Sequence, residues 1–227
     1  MDPGNDPINS ALNYMMTSAP FDKSYSTPWS KPSKLAASIS AQAGITVDVS
    51  ADAFSRSTDR STAELALQQL VYTATAAAVN ASLLESAQET PVTILVDGHS
   101  GYEAFDKIKL DSPLTRVPEA QAALWLTDPQ QSSVYKDAPV IVNGRVRPGT
   151  PAPSWTVRKK NSEEGNQDQQ DVVAEGTADL VQSTDFATFS ALLDLAPGEY
   201  AVEAYWVDPN DPGRQQGLQK KSFTIES

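Results

Sequence analysis

The hydrophobic positions of this chain fall into two textures, helical and alternating in the first half, purely alternating in the second. Ile8, Ala11, Leu12 and Met15 recur at helical spacing behind Asp6-Pro7, an N-cap acceptor followed by proline at the first helical position. They predict a short amphipathic helix over 7–17. Ser18 to Lys34 is irregular and carries Pro20, Pro28 and Pro32, with Trp29 among them, and this Trp reads as a plug over a core. Leu35, Ala37, Ile39 and Ala41 then alternate, Gln42-Ala43-Gly44 turns, and Ile45, Val47 and Val49 alternate again, a β-hairpin. Ser61-Thr62-Ala63-Glu64 reads as a capping box at the head of a longer helix, with Leu67, Leu70, Val71, Ala74 and Ala78 as its buried stripe. Small residues after Tyr72 let that helix pack close to a sheet. Val92 to Val96 is a continuous β-rich run ending at Asp97-Gly98. The order helix, strand, strand, helix, strand predicts a three-stranded sheet with both helices on one face.

From about Leu124 the helical stripes stop. Short alternating strands with turn signals take over at 123–127, 139–147, 154–160, 171–178, 186–195, 199–207 and 218–226. Seven strands at this spacing predict an Ig-like β-sandwich. The period of two points Val140, Val142 and Val146 inward, with Phe189, Ala191, Leu193 and Leu195, and with Tyr200, Val202, Ala204 and Trp206. Ala196-Pro197-Gly198-Glu199 reads as a tight turn, and Asn161–Gln170 as a solvated polar loop. The expected fold class is therefore α+β followed by all-β. The expected domains are 1–118 and 119–227, with the boundary inside Ser112–Ala123.

Composition changes this picture mainly by exclusion. The 227 residues carry 17 Lys+Arg and 29 Asp+Glu, a net charge of −12. That field repels phosphate backbones and anionic lipid, which disfavours nucleic acid and acidic membrane surfaces as partners. The charge is evenly divided: 8 basic and 14 acidic groups lie in 1–120, 9 and 15 in 121–227, so each part carries −6. Cys 0 removes disulfides, thiolate nucleophiles and Cys-ligated metals. No stretch approaches the ~20 apolar residues of a membrane span, and no signal segment opens the chain. An exported protein would have lost its signal or lipid anchor here, with Met1-Asp2-Pro3-Gly4 as an artificial start.

Candidate chemistry is sparse. His99, in Asp97-Gly98-His99-Ser100-Gly101, is the lone imidazole. Its neighbour Ser100 is poorly placed to share a proton with it, and no G-x-S-x-G elbow is present. Glu163-Glu164 and Asp168-Asp171 pair carboxylates as a glycosidase would, but in a polar loop where burial would not raise a pKa. Asp208-Pro209-Asn210-Asp211 clusters oxygen ligands without a calcium-loop spacing, so a turn is the simpler reading. Phosphate loops and zinc spacings are missing from the sequence. The expectation is a protein that is not an enzyme and that needs no cofactor or metal. For contact residues the pattern offers Glu203 and Tyr205, which point outward on their strand if Trp206 points in. It also offers Tyr102 and Phe105, which follow the Asp97-Gly98 turn near the domain junction, where packing is the competing role. A glycan platform would require Trp125, Trp155 and Tyr205 to share one exposed surface.

Three segments of the first half, Gln69-Leu70-Val71-Tyr72-Thr73, Val92–Gly98 and Ser112-Pro113-Leu114-Thr115-Arg116, resemble the GerMN domain of actinobacterial envelope lipoproteins. Leu126-Thr127-Asp128-Pro129, Val142-Asn143-Gly144-Arg145-Val146, Ala196–Tyr200 and Lys221-Ser222-Phe223-Thr224-Ile225 resemble the immunoglobulin-like domain of bacterial spore germination that often follows it. Together they cover nearly the whole chain in the expected order. The resemblance implies an exported protein, tethered to the outer face of the cytoplasmic membrane as a lipoprotein. It implies a scaffold or regulator in cell-wall remodelling, division or sporulation-type complexes, with wall hydrolases, synthases or division proteins as partners. Binding of peptidoglycan or another glycan is the alternative. GerMN domains are similar to ring-building modules, and members usually carry one or two strands before the first helix. This chain starts almost at that helix; either it is trimmed there or those strands are missing, which leaves a sheet edge open.

Overall fold

The computed structural model describes residues 6–20, 22–23, 25–40, 42–136, 139–160, 171–183 and 186–226. The polar loop 161–170, with Glu163, Glu164 and Asp168, lies outside them. By its contacts the chain divides into two units, Met1–Ala120 and Gln121–Ser227.

In the first unit, helix α1 spans Pro7–Thr17, strands β1 and β2 span Leu35–Ser40 and Gly44–Val49, helix α2 spans Arg60–Asn80, and β3 spans Val92–Val96. The Asp6 carboxylate accepts hydrogen bonds from the Ile8 and Asn9 amides at 2.9 and 3.2 Å, satisfying two orphan donors of α1. The buried line of α1 is Ile8, Leu12 and Met16. Met16 rather than Met15 completes it, because the contact face follows a spacing of four. Helix α2 begins upstream of the expected capping box. Asp59 is its N-cap and accepts from the Thr62 amide at 2.9 Å and the Thr62 hydroxyl at 2.7 Å. An aspartate just ahead of the first turn outcompetes Ser61, and Glu64 turns instead to Arg60, 3.4 Å away.

The sheet order is β1-β2-β3, antiparallel between β1 and β2 and parallel between β2 and β3. The parallel pair is the reason α2 must cross over between them. Ile45, Val47 and Val49 of β2 and Val92, Ile94 and Val96 of β3 form one apolar face, which shares a core with the buried stripes of both helices. Each such side chain contributes about 1.5–3 kcal/mol of burial free energy. Gly44, at φ +74°, is required by the hairpin, since a Cβ there would run into the Pro91 carbonyl.

Two features close this unit. Strands β4 (Glu103–Ala104) and β5 (Ile108–Lys109) form a small hairpin. Beyond it, Leu114 exchanges both backbone hydrogen bonds with Val92 at 2.8 and 2.9 Å. The next residues are held on α2: Gln68 donates to the Thr115 carbonyl and accepts from the Val117 amide, and Tyr72 donates to the Val117 carbonyl. The Arg116 guanidinium lies 4.6 Å from the Tyr72 ring centroid and donates to the Thr75 hydroxyl at 2.8 Å. Burial lowers the pKa of that guanidinium, and Tyr72 opposes the shift.

The second unit holds eight strands among the described residues: β6 (Leu124–Asp128), β7 (Ser133–Tyr135), β8 (Val140–Val146), β9 (Ser154–Lys159), β10 (Asp171–Thr177), β11 (Ala187–Leu193), β12 (Gly198–Asp208) and β13 (Asp211–Ile225). Seven were expected. The extra one, β7, is three residues long and shows no alternation to read; it exists because it pairs in parallel with the end of β13. The strands form two sheets, β10-β9-β12-β13-β7 and β11-β8-β6, whose facing residues make one core. Val140, Val142, Val146, Phe189, Leu193, Tyr200, Val202 and Ala204 are buried as the period of two requires, with Ala191, Leu195 and Trp206 half-buried against them. At the start of β12 the Tyr200 hydroxyl donates to the Ala196 carbonyl at 2.6 Å. This is the tyrosine corner of immunoglobulin-type sandwiches, and together with the strand order it defines an Ig-like fold.

Candidate interaction surface

The four residues expected to make contacts separate into two kinds. Phe105 is 3% exposed. Its ring lies 5.2 Å from that of Trp29 and 5.2 Å from that of Phe54, both edge-on. Trp29, itself 1% exposed, packs 5.1 Å from Phe54 and donates its indole N–H to the Ala66 carbonyl at 3.3 Å. Phe105 is thus a core residue of the first unit, carried inward by the β4–β5 hairpin that the sequence pattern did not reveal. Tyr102 is half-buried and lies 5.4 Å from Phe54 at the rim of the same cluster. Both belong to the first unit, and Glu203 and Tyr205 to the second.

Glu203 and Tyr205 lie on β12, near the middle of the five-stranded sheet, and point away from the core. Glu203 is clamped between cations: its Oε1 is 2.7 Å from Lys220 Nζ, and its Oε2 is 3.6 Å from Arg158 Nε. Lys220 is its direct cross-strand neighbour on β13, and Arg158 lies diagonally across on β9. With a side chain only 21% exposed, Glu203 organises this face more than it offers itself. Tyr205 stands one step along the same face, half-buried and opposite Ser154. The ladder slips between Ala204 and Trp206, so Gly217 and Leu218 together oppose Tyr205, a bulge that re-aims the strand. Leu218 is 54% exposed. At the other end of the sheet Val172, opposite Arg158, is 46% exposed. The face is an ion cluster of one carboxylate and two cations, bordered by a tyrosine and exposed aliphatic side chains, a composition suited to contact with protein.

The aromatics that a glycan platform would need are apart. Trp125 is exposed on β6, in the three-stranded sheet. Trp155 on β9 packs against the core, and Tyr205 faces outward from the other sheet.

The remaining candidates take ordinary structural places. His99 follows β3 in a tight turn, with Asp97 at φ +50° and Gly98 at φ +81°. Its Nδ1 lies 2.8 Å from the Asp97 carbonyl. Asp208–Asp211 is the β12–β13 turn, in which Asp208 accepts from the Asn210 amide at 2.8 Å. Among the described residues no group of His, Cys, Asp and Glu is placed to hold a metal ion. An open cleft of about 450 Å³ lies at the Gly44 end of the β1–β2 hairpin, lined by Ser40, Gln42, Leu84, Ser86, Glu89 and Thr90 among others. Its single carboxylate has no second acid or base facing it in that lining.

Folds and surface together define a protein of two modules, an αββαβ domain and an Ig-like sandwich. Residues 2–101 match the Germane family, described as sporulation and spore germination, and the N-terminal domain is a Germane, or GerMN-type, domain. The match stops at residue 101, before the β4–β5 hairpin and the Leu114–Val117 segment, although both belong to the folded unit. No curated protein matches the chain. Among solved structures, an uncharacterized protein from Bacillus anthracis str. Ames is 10% identical, over 42% of this chain and 77% of that one, with a TM-score of 0.31. Fibronectin(III)-like modules of Clostridium thermocellum CbhA are 11% identical, over 45% and 94%, with a TM-score of 0.28. Murine CRIg is 10% identical, over 45% and 96%, with a TM-score of 0.27. Likenesses this remote add no argument; the sandwich assignment rests on strand order and the tyrosine corner. Germane and Ig-like domains are non-catalytic kinds of domain.

Proposed function

We propose that this protein is a non-enzymatic interaction module of the bacterial cell envelope, a scaffold or regulator in sporulation-type, wall-remodelling or division complexes. The observation that carries the reading is the Germane domain at residues 2–101 joined to an Ig-like sandwich. The sandwich presents a face of aliphatic and tyrosine side chains around an ion cluster of one carboxylate and two cations. In this reading the protein works outside the cytoplasmic membrane, tethered there as an actinobacterial lipoprotein. No helix among the described residues is long and apolar enough to cross a membrane, so the tether would be supplied by another segment or by lipid. The partners are envelope proteins such as wall hydrolases, synthases or division proteins. The separation of Trp125, Trp155 and Tyr205 removes the support for glycan as the ligand.

The test is site-specific photocrosslinking in intact cells, with the probe at Tyr205 or Leu218 and, as a control, at Ser190 on the other sheet. Adducts with envelope proteins from the first two positions and not from the third are expected. Identical yields from all three, or adducts only with glycan fragments, would refute the reading.

A further inference from the structure

We propose that the outward face of the five-stranded sheet recognises an acidic side chain of its protein partner, which binds Arg158 and Lys220 beside Tyr205. The contact rests on the recruitment reading above and gives the partner's surface a chemistry: an Asp or Glu set among apolar groups. Glu203 is one carboxylate serving two cations. Its Oε1 is 2.7 Å from Lys220 Nζ, but its Oε2 is 3.6 Å from Arg158 Nε, beyond hydrogen-bonding distance. Among the described residues, then, the Arg158 guanidinium makes an ion pair and no hydrogen bond. Its N–H groups form a planar fork that matches a carboxylate, on a side chain 35% exposed. Lys220 spends one of its three donors on Glu203. The Tyr205 hydroxyl, one step along the face, has no hydrogen bond among the described residues.

Water serves these donors while the face is open. Leu218 and Val172, 54% and 46% exposed on either side of the cluster, invite an apolar partner that would remove that water. Covered donors without acceptors are costly, and covered charges more so. A partner that buries this face must therefore bring an anionic acceptor to Arg158 and Lys220. Charge points the same way. Residues 121–227 carry −6, yet this cluster holds two cations to one carboxylate. Lys160 and Glu199 pair with each other at 3.4 Å and leave the imbalance as it is. Glu175, across from Thr156 on the edge strand β10, makes no ion pair among the described residues. The surrounding negative field repels a broadly acidic surface. The carboxylate is thus a single local group on the partner rather than an acidic tract, and a phosphate-rich surface is disfavoured as its source.

The experiment is photocrosslinking in intact cells with the probe at Leu218, in the parent chain and in Arg158→Gln, Lys220→Gln and Glu203→Gln. Adducts are mapped by peptide sequencing, and each variant's fold is checked by circular dichroism. Parent adducts should map to partner segments in which an Asp or Glu lies among apolar residues. Arg158→Gln should lower their yield about tenfold or more, and Lys220→Gln should lower it in the same direction. Glu203→Gln removes the internal competitor for both cations and should raise the yield about two- to fivefold. A partner that bound Glu203 itself would reverse these signs. Parent adducts that Arg158→Gln leaves unchanged, or that Glu203→Gln fails to raise, overturn the acidic contact and leave the recruitment reading standing. So do adducts that map to another part of this same chain. A parent that gives no protein adduct overturns both. Should Glu203→Gln fail to fold, the Arg158→Gln and Lys220→Gln yields decide.

Discussion

Replacing Phe105 with alanine separates a packing role from a contact role for the residue that follows the β3 turn. The ring is 3% exposed and wedged edge-on between Trp29 and Phe54, each centroid 5.2 Å away. Truncating a buried phenylalanine costs about 3–5 kcal/mol in lost transfer free energy and residual cavity. Two aromatic pairs worth about 0.5–1.5 kcal/mol each lie within that figure. The backbone penalty at Phe105, φ +52°, is paid by alanine as well and cancels. A unit of this size loses roughly 3–6 °C of melting temperature per kcal/mol, so the first unit should melt at least about 10 °C earlier. Because each unit has its own core, calorimetry should show one shifted transition and one that stays in place. Tyr205→Ala, on the half-exposed face of the sandwich, should cost less than about 1 kcal/mol. A Phe105→Ala chain of unchanged melting profile but impaired partner capture would refute the packing argument.

Three further substitutions probe other links. Tyr200→Phe removes the 2.6 Å hydrogen bond to Ala196 and leaves that carbonyl without its tyrosine donor; urea unfolding of the sandwich should report a loss of about 1–2 kcal/mol, with the first unit unaffected. Arg116→Ala removes the contacts to Thr75 and Tyr72, and limited proteolysis should then cut within residues 112–117 faster than in the parent. Hydrogen bonds hold two carboxyls below the ordinary aspartate range: Asp59 through the Thr62 amide and hydroxyl, and Asp52 through the Ser33 and Ser50 hydroxyls. A carboxyl whose folded pKa lies below its unfolded value of about 3.9 adds stability that is full above that value and lost as the pH falls through the folded one. The melting temperature should therefore fall on acidification below about pH 4, and Asp59→Asn should flatten that limb; an unchanged limb in Asp59→Asn would contradict the cap's contribution.

Patterns that repeat along the chain were legible without coordinates. The four-residue spacing of Ile8 and Leu12, the alternation through Ile45, Val47 and Val49, and the inward row Tyr200, Val202, Ala204 each follow from a period, and the structure keeps them. What was hidden has no period. Strand β7 is three residues that pair only because β13 passes beside them, and β4 and β5 are two residues each. That omission misjudged Phe105, since only the hairpin explains why an aromatic in a glycine-rich loop turns inward. The same limit applied to Asp59: a capping box and a preceding aspartate compete, and side-chain geometry decides. On the candidate surface, the outward placement of Glu203 and Tyr205 could be read from alternation. The clamp by Lys220 and Arg158 could not, because it needs the order of β9, β12 and β13.

The parallel pairing of β7 with the end of β13 bears on how the sandwich would carry tension. Phe223, Thr224 and Ile225 lie beside Ser133, Val134 and Tyr135. Flanking bonds run from the Ser132 amide to the Ser222 carbonyl at 2.7 Å and from the Glu226 amide to the Tyr135 carbonyl at 2.8 Å. Pulling β13 by its C-terminus against the N-terminal side of the domain drives these two strands lengthwise past each other. The rungs are then loaded in shear and must yield together, whereas a hairpin peeled from one end gives way rung by rung. The shortest strand of the sandwich is in that sense its lock against stretching.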